Sequence, residues 1–169
     1  MRIYWTLYDE RDAGKPHGIT LRAKRPTLSE EVDWFASLYR RFLSGDTVPV
    51  VAEVGGRVVG SCVVARVGPT PDAEDGHVGL LGILVERGFR GRGVGSALLR
   101  AALARSQGKF EVVRLGVRST NVRARHLYER FGFRLVGTIP RAFRRRGSVS
   151  AEHLMALVFP RRGAGRANR

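Results

Sequence analysis

The sequence predicts a mixed α/β fold, a sheet with helices packed against it. Three observations carry that prediction. Apolar strand-like runs and amphipathic stretches follow one another in the order β-α-β-β-β-α-β-α-β-β. One run, Val78 to Val85, is apolar almost throughout, as a central strand buried on both faces is. It leads through Arg90-Gly-Arg-Gly-Val-Gly95 into a helical stretch that begins Ala97-Leu-Leu99.

The chain of 169 residues is long enough for a real core, and its apolar share of 43% is ordinary for a globular protein. The expected organisation is one domain over residues 1–160, with 1–17 as an N-terminal extension and 161–169 as a basic, flexible tail. No apolar run approaches the ~20 residues of a membrane span. The start, MRIYWTLYDERD, lacks the apolar centre of a secretion signal, so a cytoplasmic location is expected. The one cysteine, Cys62, rules out an internal disulfide and any multi-cysteine zinc site; in its apolar run it reads as a small core residue.

Taken in order, Ile3, Trp5 and Leu7 alternate with Tyr4, Thr6 and Tyr8, which reads as an edge strand, and Gly18 to Arg22 reads as a second short strand. Thr27-Leu-Ser-Glu-Glu31 is a helix start with a hydroxyl to cap and acids in the first turn. Val32, Phe35, Leu38, Tyr39 and Phe42 then recur at helical spacing up to Gly45-Asp46. Val48–Val54 and Arg57–Val67 form a hairpin about Gly55-Gly56. A polar loop, Gly68 to Gly76, precedes the central strand. A helix from Val94 to Ser106, a strand from Glu111 to Val117 and a helix from Asn121 to Arg130 come next. That last helix has Ala124, Leu127, Tyr128 and Phe131 inward and Gly132 as its C-cap. Phe133–Ile139 and Ser150–Phe159 are the final strands, separated by a basic loop from Arg141 to Gly147.

The net charge is +15, and the segment from Arg141 onward holds eight arginines against one acid, Glu152. Two readings stand side by side: a composition bias on a solvated surface, or attraction to polyanions such as CoA-like cofactors, RNA or ribosomes.

The turn from Arg90 to Ser96 is where chemistry is expected. Its glycines let the backbone approach a ligand, the helix after it offers unpaired N–H groups and a positive dipole end, and Arg90 and Arg92 add charge. That is a phosphate site. It is not a nucleotide-triphosphate loop, because no lysine precedes Ser96, and the spacing Gly91-x-Gly93-x-Gly95 differs from the dinucleotide fingerprint. A second element follows: Ser119-Thr-Asn121 opens a helix on which Tyr128 lies nearly two turns after Asn121, on the same face.

The pair of motifs, strand-RxxGxG-helix and then VRSTNxxAxxLYERFGF, resembles the GNAT superfamily of acetyl-CoA-dependent N-acetyltransferases over Gly18 to Pro160. Within it, HVGLLGILV and FGFRLVGTIPRAFRRRG…LMAL look most like L-amino-acid and ribosomal-type members. The resemblance implies a mostly antiparallel twisted sheet of about seven strands, splayed at its middle by a bulge in the central strand. It implies that the pantetheine arm of acetyl-CoA pairs with the backbone of Ile83 and Val85. The N–H groups of Arg90, Gly91, Arg92, Gly93, Val94, Gly95 and Ser96 would hold the pyrophosphate. Asn121 would bond the cofactor arm, and Tyr128 would protonate the departing thiolate. A backbone N–H near Leu84 or Val85 would hold the oxyanion. The resemblance also carries a habit of dimerising. Where relatives have an acid before the final strand, this chain has Ala151-Glu152.

A base is less apparent. On strict alternation His77, Gly79, Leu81, Ile83 and Val85 share a face, on which His77 is the one titratable candidate; Glu53 and Glu86 are weaker options. An α-amine, with pKa about 8, is roughly a tenth neutral at pH 7, while a lysine amine is neutral far less often. A site without a strong base therefore suits an α-amino group of an amino acid or an N-terminus. Lysine acetylation, and an RNA- or ribosome-associated module with little catalysis, are the alternatives.

Overall fold

The computed structural model describes residues 2–13, 24–145 and 147–160. Among these, six strands form one sheet in the order β1-β2-β3-β4-β6-β5. The strands are β1 (Thr47–Val54), β2 (Arg57–Arg66), β3 (Val78–Val85), β4 (Val112–Arg118), β5 (Arg134–Arg145) and β6 (Ser148–Val158). The helices are α1 (Arg2–Asp12), α2 (Leu28–Leu43), α3 (Val94–Ser106) and α4 (Val122–Arg130). Every strand pair is antiparallel except β3–β4, which α3 joins as a parallel crossover. The sheet is mixed and mostly antiparallel, with six strands among the described residues where about seven are expected.

Local chemistry explains most boundaries. Gly55 and Gly56, at φ +57° and +72°, supply the positive φ pair that a two-residue hairpin needs. Thr27 caps α2: its hydroxyl accepts from the Glu30 N–H at 3.3 Å, and the Glu30 carboxylate accepts from the Thr27 N–H at 2.7 Å. The core lies between one sheet face and α3 with α4. Val48, Cys62, Val64, Leu81, Val113, Leu115 and Met155 meet Leu98, Leu99 and Ala102 there. A Cβ on Gly60 would stand 2.8 Å from Leu98 Cδ1, so its lack lets α3 sit close on β2.

Two expectations change and one goes untested. The N-terminal residues form α1 rather than an edge strand. Leu7, Tyr8 and Glu10 are buried together, a helical spacing, and Ile3, Trp5 and Leu7 are too short a run for alternation to decide between the two periods. The predicted strand Gly18–Arg22 lies outside the described residues. The basic stretch after Ile139 is mostly strand: β5 runs on to Arg145 through an irregularity between Ile139 and Phe143, where Arg141 takes φ +56°. The apolar stripe of α2 is also exposed among the described residues, with Val32, Phe35, Tyr39 and Phe42 each about half accessible. This helix is tied down at its C-terminal end, where Arg41 donates to the Arg66 carbonyl at 2.7 Å. Arg66, buried, pairs with Asp46 at 3.0 Å and lies over the Phe110 ring. The hydrogen bond from Ser44, and then the one from Arg66, hold the Asp46 carboxyl below its ordinary range.

Candidate active site

The sheet comes apart between β3 and β4. Their pairing covers only Val78–Leu80 against Val112–Arg114, while β3 continues to Val85 and β4 to Arg118. The opposite edge of β3 stays fully paired with β2, from Gly60↔Val85 to Arg66↔Gly79, without a shift of register. So the splay exists without the expected bulge in β3. Backbone groups of Leu81–Val85 on the β4 side, the Val85 carbonyl apart, are left without partners in the ladder, and a strand-like ligand can supply them.

The turn after β3 completes the slot. A short 3₁₀ turn, Arg87–Phe89, reverses the chain, and Gly93 at φ +84° starts α3. Ala97 is the first residue of α3 to bond back, to the Gly93 carbonyl at 3.0 Å, so the N–H groups of Val94, Gly95 and Ser96 have no intrahelical acceptor. A Cβ on Gly91 would lie 2.5 Å from the Arg123 guanidinium, which α4 therefore places directly over the turn. The positive helix end, the bare N–H groups and this arginine suit the phosphates of a carrier.

Of the predicted residues, Ile83, Val85, Arg90, Gly91, Gly93, Gly95, Ser96, Asn121 and Tyr128 all line one cleft of about 810 Å³. The side chains of Leu84, Arg92 and Val94 do not, although the Val94 N–H is among the bare ones at the start of α3. The Leu84 side chain is buried on the other face, Arg92 leans over the Phe89 ring at 6.0 Å, and Val94 packs against the core. Arg90 reaches the cleft, but its side chain has other partners. Its Nε donates to the Val85 carbonyl at 2.8 Å, and its two terminal nitrogens grip the buried Glu10 carboxylate of α1 at 2.9 and 3.0 Å. Its own N–H is bonded to the Arg87 carbonyl. It anchors the turn rather than offering a free phosphate donor.

Asn121 is the N-cap of α4, its side-chain oxygen accepting from the Ala124 N–H at 3.2 Å. Tyr128 is buried beside Phe133, ring centroids 5.9 Å apart. Burial first, and then proximity to Cys62, push its hydroxyl well above the ordinary tyrosine value, so it stays protonated at neutral pH. Burial likewise raises the Cys62 thiol to about 12, which fits a core residue and not a nucleophile.

His77 is not brought to the site. It is exposed ahead of β3, six residues before Ile83, roughly 20 Å along an extended strand. Glu86 is paired with Arg57, and Glu53 is exposed near the β1–β2 hairpin. Arg118, Thr120, Arg123, His126 and Arg130 line the cleft without having been singled out from sequence. Arg123, His126 and Arg130, spaced three and four apart on α4 and beside Leu127, carry the helical signal that could have marked them.

An apolar slot that ends in an anion-binding turn suits a carrier with an extended arm and phosphates, as an acyl-CoA transferase requires. The model of the acetyltransferase (GNAT) family matches residues 7–133. N-alpha-acetyltransferase RimI of Mycobacterium tuberculosis (strain ATCC 25618 / H37Rv) is 37% identical over 113 residues, 67% of this chain and 68% of that protein. An N-acetyltransferase from Staphylococcus aureus Mu50 shares the fold at TM-score 0.79 and 20% identity, over 93% of this chain and 91% of that one. So does yncA from Salmonella typhimurium, solved with its cofactor acetyl-CoA, at TM-score 0.77 and 18% identity, over 96% and 90%. The chain belongs to the GNAT family. It is an N-acetyltransferase that uses acetyl-CoA as co-substrate. No helix among the described residues is long and apolar enough to cross a membrane.

Proposed function

We propose that the acceptor is an α-amino group, on an amino acid or a peptide N-terminus, and that Tyr128 is the general acid. The observation that carries this reading is the slot itself: Ile83 and Val85 on one side, Tyr128 at its apolar end, and no carboxylate on the core face of β3. Such a slot holds no carboxylate on β3 to draw a proton from a lysine amine, whereas roughly a tenth of an α-amine is already neutral at pH 7. The Mycobacterium tuberculosis relative is described as an N-alpha-acetyltransferase, which points the same way.

In this reading the amine nitrogen attacks the thioester carbonyl, and the carbon–sulfur bond breaks as the Tyr128 proton passes to sulfur. A phenol whose hydroxyl lies above its ordinary range cannot remain ionised at neutral pH, so it recovers a proton from the newly acylated nitrogen through water. Tyr128 thus relays a proton with no net change of charge. Asn121 holds the start of α4, and with it the register that aims Tyr128.

The test is a CoA-release assay over three acceptors: a lysine-free peptide with a free N-terminus, the N-acetylated peptide with one lysine, and spermidine. Turnover with the first alone is expected. Equal turnover of the lysine peptide would instead support protein lysine acetylation. The exposed Arg134, Arg141 and Arg144 on β5 favour a second property, association with a polyanion such as RNA. RNA binding that weakens steeply with salt in the full chain would support it.

A further inference from the structure

Tyr128 packs on the core face of the parted sheet; the opposite face of the sheet carries a carboxylate. Val113, Leu115 and Val117 point into the core, so Gly116 between them points the other way and is exposed. Across the β4–β6 ladder, Met155 and His153 stand beside Leu115 and Val117, while Glu152 stands beside Arg118 on the Gly116 face. The Glu152 side chain reaches back one pleat and lies on Gly116. A Cβ added there would collide with Oε1 and stand 2.8 Å from Cδ.

Gly116 is also beyond the last β3–β4 pair, Leu80↔Arg114. Continuing that parallel count by two residues puts Gly82 of β3 level with it. Gly82 is exposed, and a Cβ on it would meet nothing within 4 Å. Both lips of the parted sheet are therefore bare of side chains on this face, at the same level, and the Glu152 carboxylate overhangs one of them. Other acids near the slot are occupied or distant: Glu10 is held by Arg90, Glu86 by Arg57, Glu129 by Arg125, and Glu111 precedes the far end of β4. The charged group facing Glu152 on β4 is Arg118, whose guanidinium is stacked 4.1 Å from the Phe143 ring centroid; on β5 the facing residue is Ile139.

We propose that Glu152 is a catalytic residue on the acceptor side: through the gap between Gly82 and Gly116 it binds the acceptor's ammonium group and takes its proton. This rests on the α-amine reading above. The ammonium gives one proton to the carboxylate, which passes it to solvent. The freed nitrogen pair forms the C–N bond from the face opposite Tyr128, the C–S pair leaves on sulfur, and sulfur receives the Tyr128 proton. The nitrogen's second proton restores Tyr128, so one proton is released overall. The core face of β3 needs no acid because the base comes from β6.

Glu152→Gln is tested with acetyl-CoA and a lysine-free peptide bearing an N-terminal alanine. It should lower kcat/KM for the peptide about 10²-fold, the usual scale for a lost general base, and leave acetyl-CoA affinity within about twofold. Glu152→Asp should recover part of the loss. Gly116→Ala keeps every charge but displaces the carboxylate, and should cost about tenfold in kcat/KM. Peptide kinetics of Glu152→Gln within threefold of wild type, or a parallel loss of acetyl-CoA binding, would overturn the assignment while leaving the α-amine reading intact. A wild-type chain that releases CoA with no α-amine overturns both.

Discussion

The tie between α1 and the phosphate turn gives a prediction whose sign is set by geometry. Glu10 and Arg90 are 80 positions apart in sequence, and their bidentate pair at 2.9 and 3.0 Å is shielded, with side-chain exposures of 7% and 29%. Glu10→Gln keeps the volume and one acceptor but removes the charge. Hydrogen bonds to charged groups contribute about 1.5–3 kcal/mol each, and partial exposure of Arg90 discounts that, so a loss of about 2 kcal/mol is reasonable. For a chain of this length that is a fall of about 4–8 °C in melting temperature. Binding should move the other way. With Glu10 neutral, Arg90 carries an uncompensated positive charge beside the turn whose bare N–H groups suit phosphates. Roughly 1 kcal/mol of added attraction, about fivefold tighter acetyl-CoA, follows at low salt and fades as salt rises. Differential scanning fluorimetry and isothermal titration at two ionic strengths measure both. A melting point within 1 °C of wild type would show that the pair contributes nothing to stability. Weaker acetyl-CoA binding would show that Glu10 orients Arg90 for the phosphates, contrary to the anchoring role argued above.

Three further perturbations address separate parts of the molecule. Tyr128→Phe should lower kcat about 10²-fold or more with acetyl-CoA affinity nearly unchanged, read by pre-steady-state CoA release and titration; undiminished turnover would mean that another group protonates sulfur. Gly93→Asp puts a side chain at φ +84° and a negative charge beside the phosphates, and should abolish acetyl-CoA binding measurable by calorimetry while the chain remains folded by circular dichroism. Asp46 has a folded-state pKa below its ordinary value, so its stabilising effect is full above about pH 4 and is lost as pH falls through the folded value. Asp46→Asn should therefore melt below wild type at pH 6, and the gap should narrow toward pH 2; a gap that stays constant would refute the ion-pair account.

The parts of the fold legible from sequence are those where one residue type answers one local need. Gly55-Gly56 specified a hairpin, Thr27 with Glu30 a helix start, and the apolar run Val78–Val85 a central strand, because each signal is contained within a few residues. Leu80 and Gly82 leave one face of that strand exposed rather than buried. The turn from Gly91 to Ser96 and the α4 pair Asn121 and Tyr128 were legible for the same reason, reinforced by the family resemblance. What escaped depended on partners distant in sequence. The start Ile3–Tyr8 alternates like a strand, yet Leu7 and Tyr8 are buried as one side of a helix whose Glu10 has its partner at Arg90. His77 lies in strict alternation with Ile83, but alternation reports a face and says nothing of the distance along it. Arg141 to Gly147 looked like a loop because its charge is high. Strand pairing with β6 holds most of it extended, and an edge strand tolerates arginines on its exposed sides.

The same distinction separates the two halves of the site. The half that suits acetyl-CoA is written in contiguous sequence, since a helix start and the strand before it are neighbours along the chain. The acceptor half is an emptiness made by two glycines on different strands, and no window of sequence contains both. Gly82 sits in an apolar strand and Gly116 in another, each of which reads as a weak point of β propensity when taken alone. Only the parallel register of β3 and β4 puts them level, and only the β4–β6 ladder lays the Glu152 side chain over one of them. A larger residue at either position would narrow the opening, and at Gly116 it would also drive the carboxylate away. The two glycines are thus coupled in a way that makes a specific demand on kinetics. Gly82→Ala should raise KM for the acceptor with little effect on kcat, because Glu152 stays in place, whereas Gly116→Ala should lower kcat as well. Identical kinetic patterns for the two variants would mean that the opening matters only as a space, and that the carboxylate above it takes no part.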